Sequence, residues 1–319
     1  TSSAVPATPT AQPRPTRTSA PTETPLPQPT PMGGGQGQIA FASDRSGKNQ
    51  IYITGASDSE DEVFQVTDML EGACQPSWAP DGQRIVFTSP CEGNLKSYPN
   101  SGLFVINADG TNLMPLLNQS GGDFDPAWSP DGKYVAFTSL RNFGRPQIFV
   151  YSFEDNTAEG ISATYSWNSQ PAWSADSKKL AYVNSLNGRD VIWTMDLDGE
   201  NKEMFSRNNY QINNAPSWAP DGTAILYTQL AADLGVPKLV GAAFPWDSSA
   251  GEYRKSPSQL PMREGVYSPD GFWVAFEGWP KGANHDIYLI ASNGAGLIRV
   301  TTHERLDFDP AWRPVVPPS

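Results

Sequence analysis

Two histidines, His285 and His303, are the only imidazoles in the 319-residue chain, and neither stands in a pattern that performs chemistry. The sequence has no His-Glu-x-x-His run, no Gly-x-Ser-x-Gly elbow and no Cys/His spacing of a zinc site. Hydrolysis or group transfer needs a nucleophile beside a base, or a metal-bound water. No catalytic, cofactor-binding or metal-binding residue is therefore assigned, and an enzyme is not expected. The Ser-Pro-Asp-Gly turns do not match the Ser-x-Asp-x-Gly boxes of sialidases. Asp58-Ser59-Glu60-Asp61-Glu62 is charged enough to attract calcium but reads as a solvated turn. Asp196, Asp198 and Glu200 alternate like oxygen ligands, yet the rest of a calcium loop is missing, so Asp198-Gly199 reads as a hairpin turn. Asn118-Gln119-Ser120 is a single N-glycosylation sequon. Trp246 and Trp279 are candidates for stacking a sugar.

These residues must be positioned by something, and internal repetition shows what. An aromatic residue, a Pro-Asp-Gly turn and an apolar triplet recur together. Trp78-Ala79-Pro80-Asp81-Gly82 precedes Ile85-Val86-Phe87, and Trp128-Ser129-Pro130-Asp131-Gly132 precedes Val135-Ala136-Phe137. The same unit starts at Trp173, Trp218 and Tyr267, with the triplet seven residues after the aromatic each time. Counting on to Trp312, the anchors lie 50, 45, 45, 49 and 45 residues apart. Pro presets φ for the first corner of a turn, Asp bonds its own backbone and Gly takes the positive φ, so each unit is a hairpin. Further apolar strands follow, such as Leu103-Phe104-Val105-Ile106 and Ile287-Tyr288-Leu289-Ile290. Four short strands per period of about 45 residues make a propeller blade. The N-terminal segment supplies three strands without the Trp strand, and the C-terminal Asp309-Pro310-Ala311-Trp312 supplies the fourth. The expected fold is all-β: a six-bladed propeller of four-stranded antiparallel blades, closed by strands from both chain ends.

The runs Phe41-Ala42-Ser43-Asp44-Arg45-Ser46-Gly47 and Pro126-Ala127-Trp128-Ser129-Pro130-Asp131-Gly132 carry a likeness. Over residues 38–314 the chain resembles the TolB-like (TolB/WD40-like repeat) propeller family. The likeness departs at Ala175 and Ser177, where the family has Pro and Gly, and across Ala231 to Pro261, which reads as irregular. It implies an extracytoplasmic protein that works by binding proteins. The domain that precedes the propeller in the periplasmic TolB has no counterpart, so its specific Tol–Pal role is not expected to transfer.

Cys74 and Cys91 lie four residues before Trp78 and four after Phe87, nearly opposite across one hairpin. A disulfide is expected, with two buried thiols as the alternative. Closing that loop restricts the unfolded chain by about 3 kcal/mol.

Two regions divide the chain, a tail over 1–36 and the propeller over 37–319. Thr1 to Met32 contain nine Pro and eight Thr, too few apolar residues for a core. X-Pro steps favour polyproline II. Two readings stand. One is a stalk with O-glycosylation acceptors at Thr8, Thr10, Thr16, Thr18, Thr22, Thr24 and Thr30. The other is an arm that docks on a neighbouring copy through Arg14, Arg17, Leu26 and Met32, aided by its net charge of +1 against −13 elsewhere. The start at Thr1, without Met, reads as a processed chain. A net charge of −12 disfavours nucleic acid and anionic membranes, and no run of about 18 apolar residues marks a membrane span. The expected function is a non-enzymatic extracellular protein-interaction or structural role. Self-assembly into a filament through the tail is expected, and the expected partner is another copy of the chain. The alternative is a carbohydrate-binding or polysaccharide-lyase-like propeller that meets a surface glycan.

Overall fold

The structure is a computed structural model that describes residues 37–56, 63–118, 121–162, 165–206, 211–231, 235–246, 251–254, 260–280 and 284–315. Among these residues, twenty-four strands form six four-stranded antiparallel sheets. The chain opens with β1 (Gln38–Ser43), β2 (Gln50–Gly55) and β3 (Phe64–Gln65). Blade 1 follows as β4 (Cys74–Trp78), β5 (Arg84–Ser89), β6 (Gly102–Asn107) and β7 (Met114–Pro115). Blade 2 is β8 (Asp123–Trp128), β9 (Tyr134–Ser139), β10 (Gln147–Ser152) and β11 (Thr157–Gly160). Blade 3 is β12 (Trp167–Trp173), β13 (Lys179–Leu186), β14 (Arg189–Asp196) and β15 (Glu203–Met204). Blade 4 is β16 (Gln211–Trp218), β17 (Ala224–Ala231), β18 (Pro237–Ala243) and β19 (Glu252–Arg254). Blade 5 is β20 (Met262–Tyr267), β21 (Trp273–Gly278), β22 (Asp286–Ala291) and β23 (Ile298–Arg299), before β24 (Asp307–Trp312). In sheet order, β24-β1-β2-β3 is blade 6, with Ile39 opposite Trp312 and Ala42 opposite Phe308. The ring thus closes with strands from both ends, which leaves no open sheet edge at the seam.

Each apolar triplet forms a second strand wedged between neighbouring blades. Ile85, Val86 and Phe87 are fully buried, as are Val135, Ala136 and Phe137. The repeat Trp residues stitch blades together. The indole N–H of Trp173 donates to Ala127 O (2.9 Å), that of Trp218 to Ala172 O (3.2 Å) and that of Trp312 to Val266 O (3.2 Å). Trp78 does the same across the seam, to Ala311 O at 3.1 Å. Trp128 is the exception, because among the described residues its buried Nε1 has no acceptor. The turns hold as their residue types require: in Ser129-Pro130-Asp131-Gly132, Ser129 Oγ donates to Asp131 Oδ1 and accepts from Tyr134 N.

The stretch from Ala231 to Pro261, read as irregular, contains β18 and β19. Gly241 within β18 is paired with Tyr253, whose ring occupies the space a Cβ would need, 2.5 Å away. A glycine that looks like a strand breaker is here the seat of a cross-strand aromatic ring. Cys74 and Cys91 are joined in a disulfide with Cα atoms 5.9 Å apart.

Candidate functional site

All six innermost strands carry the same defect. Three residues before each repeat aromatic the backbone turns left-handed: Gln75, Asp125, Gln170, Ala215, Glu264 and Asp309 have φ between 49° and 55°. The next residue is Pro76, Pro126, Pro171, Pro216 or Pro310, or Gly265 in blade 5, and at each place the ladder slips its register. Pro costs no ladder bond at a bulge, so the pair is tolerated. These residues and their prolines line a cavity of about 160 Å³ on the propeller axis.

The bulged residues link blade to blade. Asp309 Oδ2 accepts from Gln75 N (3.0 Å), and Gln75 Oε1 from Asp125 N (2.9 Å). Asp125 Oδ2 accepts from Gln170 N (3.2 Å), and Gln170 Oε1 from Ala215 N (2.9 Å). Ala215 has no acceptor to pass on, and Thr228 Oγ1 takes its place for Glu264 N at 2.9 Å. In blades 1 and 2 the matching hydroxyls, Thr88 and Thr138, donate to Gln75 and Asp125, and Thr138 Oγ1 also accepts from Gln170 N at 3.0 Å.

Three ring members are acids. Burial pushes Asp125 up to about 7, and Asp309 adds to the rise; hydrogen bonds from Thr138, Gln170 and Gln75 oppose it. Burial likewise lifts Glu264 well above the usual carboxylate range, with Asp309 and Glu277 pressing the same way. Asp309 rises chiefly by burial, while its hydrogen bond with Glu264 opposes the change. Two carboxyls bonded to one another need a proton between them, so the pair titrates as a unit. Glu264 Oε2 is buried without a partner among the described residues.

Beside this ring lies a second cluster. Arg263 faces Glu277 across β20 and β21 in a two-pronged ion pair of 2.8 and 2.7 Å. His285 Nδ1 also meets Glu277, and its ring stacks on Trp279 with centroids 4.4 Å apart and planes 5° from parallel. The Arg263 guanidinium lies 5.3 Å from the Trp279 ring centroid. Burial works against the Arg263 charge, but Glu264, Glu277 and Asp309 outweigh it and raise its pKa. Blades 2 and 6 build the reverse arrangement. There the acid heads the inner strand, and Asp123 and Asp307 are clamped by Arg141 and Arg45 from the loop beyond the second strand.

His285, which stands in no chemical motif, is held by Glu277 and Trp279. A buried acid reached from the next strand recruits it, and no local sequence signal announces that. His303 is exposed, and its Nδ1 accepts from Arg305 N (3.1 Å). Trp246 packs edge-on against Phe205 at 5.8 Å; with Trp279 stacked on His285, both candidate sugar platforms are half-covered. Asp196, Asp198 and Glu200 form a turn, with Asp198 Oδ1 accepting from Glu200 N (3.0 Å). Among the described residues no group of three or more His, Cys, Asp or Glu is placed to hold a metal ion. The acidic run 58–62, the tail residues Arg14, Arg17, Leu26 and Met32, and the threonine acceptors lie outside the described residues, as do two of the three sequon positions. The ring acids share no residue type with the rest of the ring, and the only sequence signal for them is that an acid, an amide or Ala215 stands three residues before every repeat aromatic.

A family model described as the TolB beta propeller domain matches residues 61–243. The chain is 32% identical over 119 residues to the Tol-Pal system protein TolB of Anaeromyxobacter dehalogenans strain 2CP-C, a match covering 37% of this chain. It spans about a quarter (26%) of that relative's length. TolB from Acinetobacter baumannii superposes with a TM-score of 0.72 at 18% identity, over 88% of this chain and 68% of that one. Oligogalacturonate lyase from Vibrio parahaemolyticus superposes with a TM-score of 0.53 at 13% identity, over 84% of this chain and 75% of that one, and shares the fold alone. With more than half of its length matched by the family model, the chain belongs to the TolB beta propeller domain family.

Proposed function

We propose that this propeller is a non-enzymatic, extracytoplasmic protein-interaction module whose axial channel receives an extended, cationic segment of a protein partner. The observation that carries this reading is the ring of left-handed residues. It turns three carboxyls toward one narrow cavity, and one carboxyl oxygen of Glu264 lacks a partner among the described residues. An ammonium or guanidinium group satisfies such oxygens, and its charge offsets the cost of ionising them. A reaction would instead need a nucleophile within hydrogen-bond reach of a base. Glu277, the acid nearest an imidazole, is already engaged by Arg263.

A protein partner also suits the rim. Phe143, Tyr165 and Trp167 are 102%, 89% and 56% exposed. Their loops adjoin through Asn168 N to Pro146 O at 2.9 Å. Exposed aromatic groups of this kind are enriched where proteins meet. The disulfide favours an oxidising compartment. The likeness to Tol-Pal system proteins supports a role in protein binding, and nothing among the described residues supports the self-assembly expected from the tail.

The test is titration calorimetry with a lysine-rich decapeptide and an acidic decapeptide as probes, on the wild-type chain and on Glu264→Gln/Asp309→Asn. The cationic probe should bind, and the double variant should weaken it about tenfold or more. Equal binding of the acidic probe, or no loss in the variant, refutes the channel reading. Turnover of polygalacturonate with manganese present refutes the non-enzymatic one.

A further inference from the structure

Of the six links between a second and a third strand, the longest is in blade 1, residues 90–101 between β5 and β6. Its first residues are fixed firmly. Cys91 is bridged to Cys74, its N–H donates to Glu71 O (2.9 Å), and its carbonyl accepts from Asn49 Nδ2 (3.1 Å). From there the segment does not return directly to its own blade. Asn94 Nδ2 reaches Glu277 Oε2 of blade 5 at 3.5 Å, and blade 6 stands between those two blades. Tyr98 turns the other way, its ring edge-on to Phe124 of blade 2 at 5.7 Å. One short loop thus spans an arc from blade 5, past blades 6 and 1, to blade 2.

The span is internally braced. The Tyr98 hydroxyl donates to Gly93 O (2.7 Å) and accepts from Leu95 N (2.9 Å). Ser101 Oγ donates to Asp123 O (2.7 Å), which ties the far end to the head of β8. Gly122 has φ +70, and a Cβ there would meet Pro99 O at 2.8 Å, so the loop rests on blade 2 only because that residue is glycine. Tyr98 is buried at 5% exposure. Burial lifts its pKa, and the carboxylates of Asp309, Asp125 and Glu264 lift it further. Those acids come from blades 6, 2 and 5, so the hydroxyl senses the channel ring from several sides.

We propose that residues 90–100 are a lid over the channel mouth at which the inner strands begin, hinged at the Cys74–Cys91 bridge and latched by Asn94 on Glu277. The latch is weak by construction, since 3.5 Å is at the long limit for a hydrogen bond. The hinge is covalent. Such a lid opens by releasing Asn94 while the bridge keeps its base in place, and it swings free when the bridge is reduced. This inference does not depend on what the channel binds.

Lys96 is exposed and is the one basic residue of the lid, so trypsin reads its opening. Cleavage of the transiently open form tracks its population. On the full chain, Asn94→Ala should speed cleavage after Lys96 about fivefold, and Cys74→Ser/Cys91→Ser about tenfold or more. Carbodiimide-driven amidation of Glu264 and Asp309 with taurine, read by mass spectrometry, should rise in parallel. Cleavage within about twofold of wild type in both variants overturns the latch and the hinge. Faster cleavage with unchanged amidation shows that the loop moves without covering the channel, and overturns the lid. If the double serine variant does not fold, Asn94→Ala and mild reduction of the wild-type chain decide the matter.

Discussion

Replacing Asp125 with asparagine should make the protein more stable at pH 8 while costing stability at pH 4. The folded-state pKa of Asp125 is about 7 against an ordinary 3.8. The fold therefore favours the protonated carboxyl. Any stability linked to that proton is full below about pH 4 and is lost as pH climbs to about 7. Three units correspond to about 4 kcal/mol, an upper figure because one edge of the side chain faces the channel. Asparagine stays neutral throughout and escapes that loss. It also sacrifices something. Asp125 Oδ2 accepts from Thr138 Oγ1 and Gln170 N, which an amide oxygen can still do. Oδ1 accepts from Gln75 Nε2, and an amide nitrogen there would set donor against donor. The lost bond costs about 1 kcal/mol at every pH. Asp125→Asn should then lie below wild type by about 1 kcal/mol at pH 4 and above it by up to about 3 kcal/mol at pH 8. The assay is urea unfolding of both proteins at the two pH values, with m-values compared to check that the transition is unchanged. A variant that is destabilised equally at both pH values would refute the assignment of a neutral carboxyl to the ring.

The stitching tryptophans give a paired prediction. Trp173→Phe should cost about 1 kcal/mol more than Trp128→Phe, because only the first loses a satisfied indole hydrogen bond; equal losses by denaturant titration would contradict it. Deleting residues 306–319 removes β24 and exposes the edge of β1, so unfolding should lose its single cooperative transition. A truncated chain that keeps the full melting temperature would show that the shared blade does not close the ring.

What the sequence reveals here is what repeats at short range. The hairpin around Pro80-Asp81-Gly82 is a local matter of turn chemistry, so five copies expose the blade and the two chain ends expose the seam. Cys74 and Cys91 are legible for the same reason, since both belong to one hairpin. Blade 4 hides its outer strands because Gly241 looks like a break until Tyr253 is known to lie on it. The ring residues repeat too, but Gln75, Gln170 and Ala215 are chemically unlike Asp125, Glu264 and Asp309. What they share is a left-handed φ, which residue type alone does not display. The cluster of Arg263, Glu277, His285 and Asn94 was not legible at all. It joins an inner strand, its neighbour and loops from blades separated by more than 180 positions.

The residues facing the channel are not equivalent around the axis. Blades 5, 6 and 2 contribute acids, with Gln75 of blade 1 among them, while blades 3 and 4 contribute Gln170 and Ala215. An electric field therefore runs across the channel, directed from the neutral arc toward the acidic one. A positively charged group inside is drawn to the wall of blades 5 and 6, and whatever is attached to it must turn its uncharged side toward Ala215. The six blades give the scaffold rotational symmetry, and the single alanine with its facing amide removes that symmetry for anything inside.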